Sequence, residues 1–173
     1  MTNTEILTAV PLLLILGVAT VIDWRVQKIP NVLSFGAAVF ALILQATLNG
    51  GAGVALAAGG WLLCLVCFLP FYFAAGMAAG DVKLMAAVGA FLGPALGIAA
   101  CLFTMMAGGV IGLVTMFCLR RKLAASGAHD TNPGMANAVG RTRIPYAGAI
   151  AAGTSLVLLV PSVVPSALMQ FGV

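Results

Sequence analysis

Acidic residues are so scarce in this chain that their placement is informative. They are Glu5, Asp23, Asp81 and Asp130 among 173 residues. Asp23 directly follows an apolar run over residues 6–22, and Asp81 follows another over 54–79 with only Gly80 between. An ionisable group at the edge of hydrocarbon is costly and is by default a candidate for function. Two carboxylates that meet in one site can divide acid and base roles. The ionised one takes a proton from a water, and the protonated one donates to the carbonyl oxygen or leaving amine of a peptide bond. Like charges about 3 Å apart cannot both ionise easily, so proximity enforces the division. The two titrations then belong to the pair rather than to either residue. That chemistry is peptide hydrolysis at or inside a membrane edge. Each aspartate also has a plainer role open to it. Asp81 could be the N-cap of a helix, and Asp23 could pair with Arg25 or Lys28. The occurrence of both at apolar boundaries in so acid-poor a chain favours chemistry.

The elements that must position them follow from composition. Hydrophobic residues make up 62% of the chain and charged residues 7%, with mean hydropathy +1.16, against about 25% charged in soluble domains. The expectation is an all-α integral membrane protein, one polytopic domain over 1–173. A spanning helix needs about 20 apolar residues, and about six transmembrane candidates can be read, over 6–22, 32–48, 54–75, 82–92, 95–119 and 146–160. They are separated by 23–30, by Asn49-Gly50-Gly51, by 76–81, by Gly93-Pro94 and by the polar stretch 120–143, with Pro161 and Pro165 near the end of the last. The fourth is too short to cross about 30 Å alone at 1.5 Å per residue. A start below the membrane surface would put Asp81 at its N-terminus, where the helix dipole favours the anion. The first run lacks the basic start of a secretory signal, so it reads as a retained helix.

Charge gives the sidedness. Arg25 and Lys28 follow the first helix, Lys83 opens the fourth, and Arg120, Arg121, Lys122, Arg141 and Arg143 lie after the fifth. All fall at odd-numbered connections. The positive-inside rule then places those connections in the cytoplasm and the N-terminus outside, with Asp23 and Asp81 on the same face. Net charge +4 is explained by this orientation, and no nucleic-acid partner is called for. Gly89, Gly93 and Gly97, and Gly108 with Gly112, have small-xxx-small spacing that lets helices approach closely. They read as packing within one chain, and oligomeric state stays open. Cys64, Cys67, Cys101 and Cys118 sit inside apolar runs and read as small buried residues rather than a zinc or redox site, so no metal or cofactor is expected. The 120–143 stretch is a solvated connector or a lid over the site, and His129 beside Asp130 has no nucleophile to serve.

The motifs resemble those of a known family. Asp23-Trp-Arg-Val-Gln-Lys-Ile-Pro-Asn31 resembles the first aspartate motif of type IV prepilin peptidases. Gly76-Met-Ala-Ala-Gly-Asp-Val-Lys-Leu84 resembles their second, the GxGD motif that opens helix four, and Ile144-Pro-Tyr-Ala-Gly-Ala-Ile150 resembles the Pro-Tyr segment leading into their last helix. The absence of paired CxxC motifs makes the chain similar to the short TadV/CpaA-like form of Flp (tight-adherence) pilus systems, without the N-terminal zinc and N-methyltransferase part. The resemblance implies a GxGD-type aspartyl protease architecture in the bacterial inner membrane. It also implies Asp23 and Asp81 as the catalytic pair, Gly80 as support of the GxGD turn, no metal, and cleavage of the leader from a prepilin or pseudopilin. Lys83 is a candidate for substrate or electrostatic support, or a snorkelling lysine that sets orientation. Ala78 stands where the motif has its first glycine. A positive φ there would strain it, whereas a packing position would accept one methyl. Two other classes compete: a proton-coupled transporter using the aspartates as a relay, and a pilus-assembly membrane protein that keeps the motifs without activity.

Overall fold

The computed structural model describes residues 3–26, 29–74, 77–125 and 146–159. Lys28, Gly76, His129, Asp130, Arg141, Arg143, Pro161 and Pro165 lie outside the described residues. The described chain is helical throughout, as α1 (Asn3–Val26), α2 (Asn31–Phe73), α3 (Ala79–Ala125) and α4 (Tyr146–Leu159). The helices are apolar over lengths sufficient to cross a membrane in α1, α2 and α3. Their outward faces carry Leu14, Val21, Ile43, Val66, Met106 and Leu113, side chains that only a lipid solvent accommodates in such number. This is an all-α integral membrane protein.

With 43 and 47 residues, α2 and α3 would each run about 65–70 Å if straight, roughly twice the hydrocarbon thickness. Both instead double back at a glycine. Gly50 (φ 62°) and Gly93 (φ 75°) leave helical geometry, in a region of φ open to glycine and closed to most other residues. Beyond the first break, a Cβ on Gly53 would lie 2.7 Å from Asn49 Cβ and also meet the backbone of Gln45. Residues eight apart in a continuous helix would be about 12 Å apart. Beyond the second, a Cβ on Gly97 would lie 3.5 Å from the Gly89 Cα. Pro94 follows the break directly and opens the next limb, the position where its missing N–H costs least. The described residues therefore form six helical segments, 3–26, 31–49, 51–73, 79–92, 94–125 and 146–159, matching the six expected from the apolar runs.

Polar side chains inside α2 hold the two reversals together. Gln45 donates from Nε2 to the Phe91 carbonyl at 2.9 Å, and Asn49 donates to Gln45 Oε1 at 2.9 Å. The Phe91 carbonyl lies at the end of a limb interrupted by Gly93-Pro94, so it needs a donor from outside its own helix. Gln45→Leu keeps the volume and removes the donor. It is expected to cost about 1–3 kcal/mol, the penalty for a buried unsatisfied carbonyl, and to lower the melting temperature of the detergent-solubilised protein.

The limb 79–92 is the centre of the bundle. Val82, Leu84–Val88, Ala90 and Phe91 are all buried, on every side of the helix. Small residues make this possible: Gly89 packs against Gly60 of α2, and Cys64 Sγ fills the space beside Gly89 and Gly97. α3 also packs on α4, with Gly108 and Thr104 of its limb 94–125 against Tyr146 and Gly153, and α4 packs on α1. Of the glycines read as packing positions, Gly89, Gly97 and Gly108 all meet other segments of the same chain, whereas Gly93 serves a turn. Cys64 and Cys101 are buried and Cys67 half-buried, but Cys118 is exposed, so the burial expected of all four cysteines fails at Cys118. It lies on the outward face of the long limb of α3, beyond the contact with α4.

Candidate active site

Asp23 does not end α1. The helix continues through it to Val26, and its side chain is 7% exposed. The reason is register. Ala9, Leu12, Leu16 and Ala19 are the buried positions of α1, and Asp23 is the next on that stripe at helical spacing. An apolar-to-polar change in sequence therefore did not mark a helix end, because the inward face carries the carboxylate one turn further. Arg25 and Trp24 on the other faces are exposed, and among the described residues no cation pairs with Asp23.

Asp81 is 5% exposed and lies in the first turn of α3, three residues in rather than at the cap. Ala78 holds the capping position. Its carbonyl accepts from the Asp81 N–H at 3.1 Å and from the Val82 N–H at 3.4 Å. The N-cap role left open for Asp81 is therefore taken by Ala78, and the Asp81 carboxylate in turn accepts the Ala78 backbone N–H. Ala78 itself is exposed, so its methyl displaces nothing. Ala78→Gly is accordingly expected to change activity by no more than about twofold, as surface substitutions do, when initial rates of the two proteins are compared.

Gly80 joins the two aspartate segments. A Cβ on it would stand 3.1 Å from Ile29 Cβ and 3.5 Å from the Ile29 carbonyl oxygen. Ile29 belongs to the stretch that follows Asp23, so the absence of a side chain at Gly80 lets that stretch lie across the start of α3. Lys83 is directed elsewhere. Its Nζ donates to Asn31 Oδ1 at 3.0 Å and lies 5.2 Å from the centre of the Phe35 ring. It ties the start of α3 to the start of α2.

The fold brings Asp23 and Asp81 to the same end of the bundle, from different helices and within coulombic reach of each other. Two buried like charges without a cation are costly. The compensation here comes from helix ends. Asp81 sits at the N-terminus of its own helix, and Asp23 Oδ2 accepts the backbone N–H of Ala147 at 3.2 Å, from the first turn of α4. Helix N-termini carry unpaired N–H groups and partial positive charge that favour anions. Tyr146, half-buried, is within electrostatic reach of Asp81 and packs its ring on Gly108. The Ala147 contact was not legible in the sequence, because it is a backbone donor 124 positions away. The Pro-Tyr segment was the only pointer to that place.

These features define a class: a polytopic helical membrane protein with a buried carboxylate pair at one end of its bundle. Residues 10–113 match the type IV leader peptidase family, a span that includes both aspartates and Gly80. The chain belongs to the type IV leader peptidase family. The Tyr146 segment lies beyond the matched residues. No curated protein and no solved structure matches the chain.

Proposed function

We propose that this protein is an aspartic endopeptidase that removes the leader peptide of a prepilin or pseudopilin at the cytoplasmic face of the bacterial inner membrane, with a water activated between Asp23 and Asp81. The observation that carries the reading is the burial of two carboxylates from separate helices within electrostatic reach of each other, with no cation among the described residues to neutralise them. A structural role gives no reason to retain such a pair. In the proposed step the ionised carboxylate takes a proton from the water as its oxygen attacks the scissile carbonyl. The protonated carboxylate donates to the carbonyl oxygen, and collapse of the tetrahedral adduct releases the amine with a proton returned from the pair.

The cytoplasmic placement rests on the positive-inside rule. Arg25, Lys83 and Arg121 lie at the ends of helical segments that share the aspartate end of the bundle. A proton relay would favour ionisable groups staggered through the depth of the bundle. The buried charged groups among the described residues are Asp23 and Asp81, both at one end, which favours hydrolysis over transport. The test is co-expression with Flp-type prepilins in membranes that lack another leader peptidase. The pilin mass is expected to fall by the mass of the leader. Unchanged mass across a panel of such prepilins, with the protein present and folded, would remove the proposal.

A further inference from the structure

α4 meets Asp23 through Ala147, which lies against α1 at both of its backbone groups. The Ala147 N–H donates to Asp23 Oδ2 at 3.2 Å. Thr20, one turn earlier on the same side of α1, donates its hydroxyl to Leu16 O at 2.8 Å, with Ala147 O as a second, longer acceptor at 3.5 Å. Ala147 is fully buried, so water does not replace either contact.

Two glycine contacts with the long limb of α3 set the position of α4. The Tyr146 ring and hydroxyl occupy the space that a side chain on Gly108 would fill. About two turns further, a Cβ on Gly153 would come within 2.6 Å of the Thr104 N. Two such points on one helix fix both its height and its rotation. Of the two, Tyr146 is adjacent to the residue that touches Asp23. A rigid carboxylate matters here because catalytic groups displaced by about 1 Å lose roughly 100-fold in rate.

We propose that the first turn of α4 is the positioning element of the aspartate pair: Tyr146, seated on Gly108, sets the height at which the Ala147 N–H meets Asp23 and so holds Asp23 in register with Asp81. The proposal rests on the peptidase reading above. Tyr146 acts through Ala147 and is a positioning residue, with no contact to the scissile bond required of it.

The sharpest test removes the one N–H. Incorporating lactic acid in place of Ala147 converts its amide to an ester and keeps the methyl and the shape. The expected result is a fall in kcat of about 10- to 100-fold, the size of one hydrogen bond to a charged group, with KM within about twofold. Tyr146→Leu, which loses the seat on Gly108, is expected to do the same, and Tyr146→Phe, which keeps the ring there, to restore most of the loss. A second readout needs no activity. A Cβ on Gly148 would lie 4.0 Å from Thr20 Cγ2, so Thr20→Cys with Gly148→Cys is within reach of a disulfide, and adding Tyr146→Leu should lower its yield. A wild-type kcat in the ester variant, or an undiminished cross-link with Tyr146→Leu, would overturn the proposal. Wild-type cleavage by Asp23→Asn would instead sink the peptidase reading, and the cross-link would still decide the contact.

Discussion

Replacing either Asp23 or Asp81 by asparagine is expected to lower prepilin cleavage by about 10²- to 10⁴-fold, the range contributed by a positioned acid or base, while the protein still inserts and folds. Asparagine is the informative substitution at position 23 because its amide oxygen can still accept the Ala147 N–H that Asp23 Oδ2 accepts at 3.2 Å. Charge and proton transfer are removed while the tie to α4 is kept. Alanine at the same position would leave a buried N–H unpaired, at about 1–3 kcal/mol, and would confuse instability with lost chemistry. At position 81 the Ala78 carbonyl holds the helix start, and an asparagine oxygen can still accept the Ala78 N–H that the Asp81 carboxylate accepts, so Asp81→Asn also leaves α3 intact.

The double variant gives the stronger evidence. If the carboxylates act on one water as a unit, removing the second after the first adds little, as happens when members of one catalytic group are deleted together. Two losses that multiply would mean two independent roles and would end the shared-water mechanism. The wild-type profile of kcat/KM against pH should be bell-shaped, since the pair works only with one proton on it, and its limbs report the pair rather than either residue. Each single Asn variant should lose the bell together with the activity. The measurement is pilin mass against time in membranes, normalised to the amount of folded enzyme.

How much of this was legible beforehand depended on what kind of contact carried it. The six segments and the reversals at Gly50 and Gly93 could be read because turns between apolar helices need glycine at positive φ, and that requirement is local. Placing Asp23 and Asp81 at one end needed only the count of crossings between them. Burial of Asp23 inside α1 could not be read from hydropathy. Every face of that helix is apolar, so no stripe distinguishes inside from outside until the bundle is assembled. The role of Ala147 was hidden for a deeper reason, since the group that matters is a backbone N–H and every residue but proline has one. Gln45 was the missed signal. A glutamine inside an apolar run, here one turn before its end, calls for a partner inside the membrane, and that partner is the carbonyl beside the second reversal.

The contact most sensitive to a single methyl is the crossing of Gly60 and Gly89. A Cβ on Gly60 would run into the Gly89 carbonyl and stand 2.7 Å from the Gly93 carbonyl carbon, and a Cβ on Gly89 would meet the Gly60 carbonyl and stand 2.6 Å from Cys64 Sγ. The obstacles are mostly backbone, which cannot rotate aside, so the limbs 51–73 and 79–92 must separate. Gly60→Ala and Gly89→Ala are each expected to cost about 1–3 kcal/mol or more, as overpacking does. That corresponds to a fall of roughly 2–12 °C in melting temperature for a chain of this size. The neighbouring Gly59 supplies the control. Nothing lies within 4 Å of a Cβ placed there, and alanine is the better helix former, so Gly59→Ala should hold or raise the melting temperature. Because both methyls open the same crossing, the double variant Gly60→Ala/Gly89→Ala should cost less than the sum of its parts. The separated limb 79–92 is the one that carries Asp81, so activity should fall with stability at positions 60 and 89 and be retained at 59. Additive costs at 60 and 89, or a loss at 59 equal to that at 60, would show that close approach at this one crossing is not what these glycines supply.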